Sequence, residues 1–417
     1  MVFSILRHIA DDSESMASCA LVSRDWSEFC QQNFFHYVRI YNSERCGRLL
    51  HLLEDSPHLI HFIRVLSISS PTYSLGPDDP ADFRLDWQDS HSEMISRTLH
   101  LLENLQDLDI SFGRACDNID EPGRVFRVGR VLNEAYRSVI SVALGMPSIA
   151  SLTLRECILS SGVVDIQHLL QNAVTLKSLT ISCESAASES LDLQTLDPVE
   201  RRVRLEALRM HMYTMTSDVI ERHFYDWIWH PRCVLDLRGL RRLELTGCRN
   251  PVLLSTFLKT DGMSQGLEHL YLAPCFARDN LMGLDFSCCH NLQALDIDLV
   301  YTTFIPGCSP PEWLCHSLRT IAPTASLQRV FVAIPVILDE EGILHNPVPL
   351  PDGDTIRADW RRLNDVLASQ RLQCISSLTV SVAYECDNPV PYQKVVEEEL
   401  TADHVDVIDH RYQEHLI

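Results

Sequence analysis

Two short stretches concentrate side chains that do chemistry. CCHN at 288–291 and CSPPEWLCH at 308–316 bring Cys288, Cys289, His290, Cys308, Cys315 and His316 within 29 residues. Thiolates and imidazoles are the ligands zinc prefers, and four of them close a tetrahedral site. Adjacent cysteines are poor joint ligands, however, and the chain has no C-x-x-C spacing. Small buried thiols at turns account better for these residues, so no metal and no other cofactor is expected. Asp296 and Asp298 lie two apart, which on a strand puts both carboxylates on one face. That spacing suits general acid–base work, but a solvated binding face explains it with fewer assumptions. The 18 histidines are scattered, and no Gly-rich phosphate loop, H-E-x-x-H or G-x-S-x-G motif occurs. No nucleophile–base pairing is legible, so no enzymatic activity is expected.

These residues sit in a repeating frame. The spacing L-x-x-L-x-L begins at Ile63, Leu105, Ile149, Leu176, Leu205, Leu240, Leu267 and Leu292, with weaker copies at Leu327 and Ile375. Successive copies start 25 to 48 residues apart, and four of the nine steps fall within the usual ~20–29 residues of a leucine-rich repeat. The last two apolar positions of each copy are two apart, so on a strand they share one face. Strands are expected near 108–110, 152–154, 179–181, 208–210, 243–245, 270–272 and 295–297. Cys157, Cys248 and Cys275 continue three copies and are expected as buried, unpaired thiols where the strand ends; Cys183 lies one residue short of that place.

Helical stretches separate the strands. Ser92 is a candidate N-cap for SHSEMISRTLHLLENL, Gly145 and Pro147 stop GRVLNEAYRSVISVALG, Pro251 opens NPVLLSTFLKTDG, and Asp354 opens DTIRADWRRLNDVLASQ. Segments 70–90 and 339–354 are rich in Pro and Asp and read as exposed loops. Residues 384–417 contain Glu397, Glu398 and Glu399 and read as an acidic tail or cap. Trp227 and Trp229 are expected to pack rather than bind.

Composition narrows the partners. The chain has 417 residues, 57 acidic against 35 basic and a net charge of -22, which argues against a nucleic-acid surface. No run of 18 apolar residues suggests a membrane span. Arg7, His8, Asp11 and Asp12 interrupt any signal-peptide core, and 15 cysteines, an odd number, point to reduced thiols in the cytoplasm or nucleus.

If the apolar strand positions point inward, their neighbours line the open face of the sheet. The early copies then present Asp107, Asp109, Ser111, Ser151, Thr153, Arg155, Ser178, Thr180 and Ser182. The later ones present Arg209, His211, Arg242, Glu244, His269, Tyr271, Asp296, Asp298, Arg329 and Phe331. Arg and aromatic residues are over-represented in binding hot spots, although a solvated strand face also carries such a mixture. The later copies are therefore the expected site for a protein partner.

The first forty residues resemble an F-box. Ile5, Leu6 and Ile9 match its first helix, Cys19, Leu21, Val22, Ser23 and Trp26 its L-x-x-C-x-L-V-S-x-x-W-like run, and Phe34, Phe35, Val38 and Ile40 its exit toward a strand. The match departs at the front, where Met1–Phe3 and Ser4 stand in place of the Leu-Pro and acidic residue that usually precede the helix. The resemblance implies an Skp-type adaptor and cullin complex as partners, with Leu6, Ile9, Leu21, Val22 and Trp26 at the adaptor contact. A helical cap closing the first repeat is the other account of the same residues.

The expected architecture is α/β: an F-box-like helical cap over 1–45, an irregular leucine-rich-repeat solenoid over 46–383, parallel strands inside and helices outside, and the acidic segment 384–417. The function the resemblance implies is substrate recognition for a cullin–RING ubiquitin ligase, with an unidentified target held on the open face. A scaffold with a degenerate F-box is the alternative.

Overall fold

The computed structural model describes residues 13–69, 86–111, 130–131, 134–159, 162–185, 193, 196–211, 218–247, 250–260, 263–273, 283–298, 310–322, 326–336, 353–369, 375–384, 398 and 405–411. It is a mixed α/β structure whose main-sheet strands pair in parallel. The chain divides into two compact units, Met1–Val203 with Pro231–Leu235, and Arg204–His230 with Asp236–Ile417. This division falls inside the stretch expected as one repeat region.

The first unit opens with helices α1 (Ser13–Ala20) and α2 (Arg24–His36). Ser23 caps α2 by accepting the Trp26 N–H at 3.3 Å. Strand β1 (Tyr37–Ile40) follows, then α3 (Ser43–Asp55), β2 (Val65–Ser69), α4 (Asp86–Leu101), β3 (Asp107–Ser111), α5 (Glu134–Leu144), β4 (Ser151–Leu159), α6 (Val163–Leu170) and β5 (Ser178–Ser185). Each strand pairs in parallel with the next, so Leu66, Leu108, Leu152 and Leu179 stand in one row and Ile68, Ile110, Leu154 and Ile181 in another. All eight are buried. Helices α3 to α6 contact one another in chain order and bury Leu49, Leu53, Ile95, Leu99, Ile140, Ile166 and Leu169. The core therefore lies between a helical layer and the apolar face of the sheet.

The second unit repeats the plan: β6 (Ala207–His211), α7 (Asp218–Trp229), β7 (Arg242–Thr246), α8 (Pro251–Leu258), β8 (His269–Ala273), β9 (Ala294–Asp298), α9 (Pro310–Arg319), β10 (Arg329–Val336), α10 (Gly353–Leu367), β11 (Ser377–Tyr384) and β12 (Val405–Arg411). Pairing is again parallel and sequential, aligning Leu208, Leu243, Leu270, Leu295 and Val330. Asn250 accepts the Val252 and Leu253 N–H groups at 3.1 and 3.0 Å, and Pro251 occupies the first helical position, where its missing N–H costs nothing. Trp227 is buried, and Trp229 donates to Thr260 Oγ1 at 3.0 Å, so both pack as expected.

Within each unit, one backbone detail ties each copy to the next. The carbonyl after the first apolar residue of a copy accepts two N–H groups from the following copy. Arg64 O takes those of Gln106 and Asp107, Arg241 O those of Glu268 and His269, and Gln293 O those of Gln328 and Arg329. The paired bonds satisfy both amides at the entry to the next strand.

The sequence reading needs correction at three places. Helix α4 starts at Asp86, so it covers the last five residues of the expected loop 70–90, and Ser92 lies inside the helix rather than at its N-cap. Helix α10 starts at Gly353, one residue before Asp354. Cys157 is buried and its Sγ donates to Arg155 O at 3.4 Å, but it lies within β4, which runs on to Leu159 through a register shift between Arg155 and Cys157. Within 384–417, read as a tail or cap, Val405–Arg411 forms strand β12, whose alternating Val405, Val407 and Asp409 continue the rows of β11. Cys248 and Cys275 fall outside the described residues.

Candidate interaction surface

Register places the outward side chains of the second unit in three rows across its strands. The first contains Ala207, Arg242, His269, Ala294 and Arg329; the second Arg209, Glu244, Tyr271, Asp296 and Phe331; the third His211, Thr246, Ala273, Asp298 and Ala333. The residues expected at the partner-binding face thus share one face of five consecutive strands. Arg209 and Arg242 are exposed, while Glu244, His269, Tyr271, Asp296, Asp298 and Phe331 are half-buried.

The charges are cross-linked. Arg209 Nε pairs with Glu244 Oε2, and the Glu244 hydrogen bond, then its charge, holds the Arg209 guanidinium above its ordinary value. Arg329 Nη2 meets Asp296 Oδ2 at 2.9 Å. Tyr271 Oη donates to Asp298 Oδ2 at 3.4 Å, and Thr246 Oγ1 lies 2.9 Å from His211 Nδ1. Burial pushes the Asp296 carboxyl up against the opposing pull of Arg329, and it pushes Asp298 up against the Tyr271 hydrogen bond. Asp296 Oδ1 is buried with no hydrogen-bond partner. On this one face, one carboxylate is fixed by Arg and another is held by Tyr, an arrangement that can engage a ligand by charge and hydrogen bond.

The open face of the first unit differs. Ser67, Asp109, Thr153 and Thr180 form its central row, and Ser69, Ser111, Arg155 and Ser182 the next. Asp109 Oδ2 accepts from Arg155 at 2.9 Å and from Ser67 at 3.3 Å, and Arg39 Nε donates to Ser69 Oγ at 3.3 Å. Sequence reasoning began this face at Asp107 and missed Arg39, Ser67 and Ser69. The alternation in RVLSIS at 64–69 carries the signal for the two serines.

At the start of the chain, the turn joining α1 to α2 presents Leu21 at 89% exposure and Val22 at 64%. Trp26 is half-buried on α2, and the same helices bury Met16 and Cys30. Leu6 and Ile9 lie outside the described residues.

In the cysteine-rich stretch, Cys289 and Cys315 are buried, and burial pushes both thiols up to about 12. Cys288 is half-exposed beside Ser287, and Lys259 Nζ pairs with Asp285 Oδ2 at 2.8 Å nearby. Among the described residues no three metal-ligating side chains gather; Cys308 lies outside them. No helix of the described residues is long and apolar enough to cross a membrane. The chain matches no protein-family model and no curated protein.

Proposed function

We propose that this protein is a substrate-recognition subunit of an SCF-type cullin–RING ubiquitin ligase. Residues 1–45 act as an F-box-like cap that docks an Skp-type adaptor, and the repeats stack as a leucine-rich-repeat solenoid whose open face holds the target. The observation that carries this reading is the α1–α2 turn. Leu21 and Val22 are left in water while their own helices bury Met16 and Cys30, and they occupy the positions where the F-box resemblance puts the adaptor. Full burial of one such side chain stabilises a complex by ~1.5–3 kcal/mol, so two exposed ones form a credible anchor pair for an apolar partner. The repeated carbonyl bridges and the in-order parallel pairing support the stacking of repeats.

Pull-down and calorimetric titration with purified Skp-type adaptor test the proposal. Val22→Asp is expected to abolish binding, because an unpaired carboxylate is forced into an apolar contact. The turn is exposed, so the substitution leaves folding intact. If the folded wild-type chain binds no adaptor, the ligase role is lost and the protein is an interaction scaffold.

A further inference from the structure

Among the described residues of β6 to β10, the open face of the second unit carries two charges that its ion pairs leave over. Arg209 is taken by Glu244, and Arg329 by Asp296. Asp298 receives a hydrogen bond from Tyr271 but, among the described residues, pairs with no cation, and Arg242 pairs with no carboxylate. Register fixes where these two stand. Arg242 is opposite His269, and Tyr271, two residues on, is opposite Asp296, two residues before Asp298. Arg242, Tyr271 and Asp298 therefore lie on one diagonal, with the tyrosine at its middle. The Tyr271–Asp298 hydrogen bond is the observed half of that diagonal.

The span follows from sheet geometry. Two strand spacings of about 4.8 Å and four residues of about 3.3 Å separate the end charges by about 16 Å. An extended chain covers that distance in about five residues. The face thus has a positive end, an amphipathic centre and a negative end. The raised Asp298 carboxyl adds to this pattern, since burial makes its charge costly and an incoming cation offsets that cost.

Building on the reading of this face as a target-binding surface, we propose that it takes an extended peptide segment carrying one acidic and one basic side chain about five residues apart. The acid sits over Arg242, the base over Asp298, and an apolar residue between them rests on Tyr271. The two end charges alone set the pairing, so the acid can precede or follow the base along the peptide.

Selection of displayed random nine-residue peptides on the purified full chain tests this. The wild type is expected to enrich peptides with opposite charges about five apart, roughly tenfold over like-charged peptides, the effect of one charged hydrogen bond. Asp298→Lys should switch the preference to two acids at that spacing, and Arg242→Glu to two bases. If D298K fails to fold by circular dichroism, D298N serves instead and should lose the preference for a base while keeping that for an acid. Selection of basic peptides alone would reflect attraction to a chain of net charge -22 and would overturn the proposal. No enrichment, or a pattern unmoved by the substitutions, overturns it as well. The same proteins are tested for adaptor binding. Adaptor bound without the charge pattern defeats this inference alone, and the pattern without adaptor binding defeats the ligase reading alone.

Discussion

Both units put an aspartate in mid-strand on the open face and bridge it to an arginine on the next strand of the sheet. Asp109 meets Arg155 and Asp296 meets Arg329, each at 2.9 Å, and each aspartate keeps a buried Oδ1 without a partner. The surroundings diverge. Around Asp109 stand Ser67, Ser111, Thr153, Thr180 and Ser182; around Asp296 stand Glu244, Tyr271, Asp298 and Phe331. The inward rows of the two units are nearly the same leucines and isoleucines. The inward scaffold is therefore common, and the two faces differ in their outward positions.

The sharpest test of the shared scaffold is to remove one inward leucine from each unit. Leu152→Ala and Leu270→Ala should each cost about 2–5 kcal/mol, as for other fully buried leucines. Denaturant titration should show losses of similar size. A loss confined to one unit would break the equivalence.

Smaller effects separate the faces. Asp109→Asn removes a carboxylate that holds both Ser67 and Arg155, whereas Asp296→Asn removes one whose charge burial already penalises. Because Arg155 and Arg329 are both 56% exposed, solvent screens the pairs, and the losses should stay within about 1 kcal/mol. Asp109→Asn should be the costlier of the two by urea midpoint.

The pH response should also differ. Asp298 binds its proton more tightly folded than unfolded, so its contribution to stability is full below the ordinary carboxylate value and is lost as pH rises through the raised native value. Asp298→Asn should therefore raise the urea midpoint at neutral pH relative to the wild type, with the gap closing in acid. Carboxyl carbon NMR should place the Asp298 midpoint above that of an exposed aspartate.

The smallest contrast is chemical. Among the described cysteines, iodoacetamide should label half-exposed Cys19 and Cys288 before buried Cys157, Cys289 and Cys315, which it should reach only through unfolding.

Much of this was legible from the chain. The L-x-x-L-x-L spacing marks the strands and tells inward from outward residues, because side-chain direction alternates residue by residue and needs no knowledge of the rest of the fold. Caps such as Asn250–Pro251 are equally local. The start of α4 and the strand β12 were not legible, since neither carries the repeat spacing.

What only the tertiary structure decided is which outward residues meet. Arg209 finds Glu244, Arg329 finds Asp296, and Tyr271 finds Asp298 across sequence gaps of 35, 33 and 27 residues. Buried Gln167 likewise holds the backbone of Arg232 and Val234, at 2.7 and 3.0 Å, from 65 and 67 residues away. The sequence by itself determined the face on which each strand residue stands, through a period of two. The neighbour across the sheet depends on how far the chain travels through helix and loop before it returns, and that distance varies from copy to copy, so the pairings that give the open face its charge pattern exist only once the strands are in register.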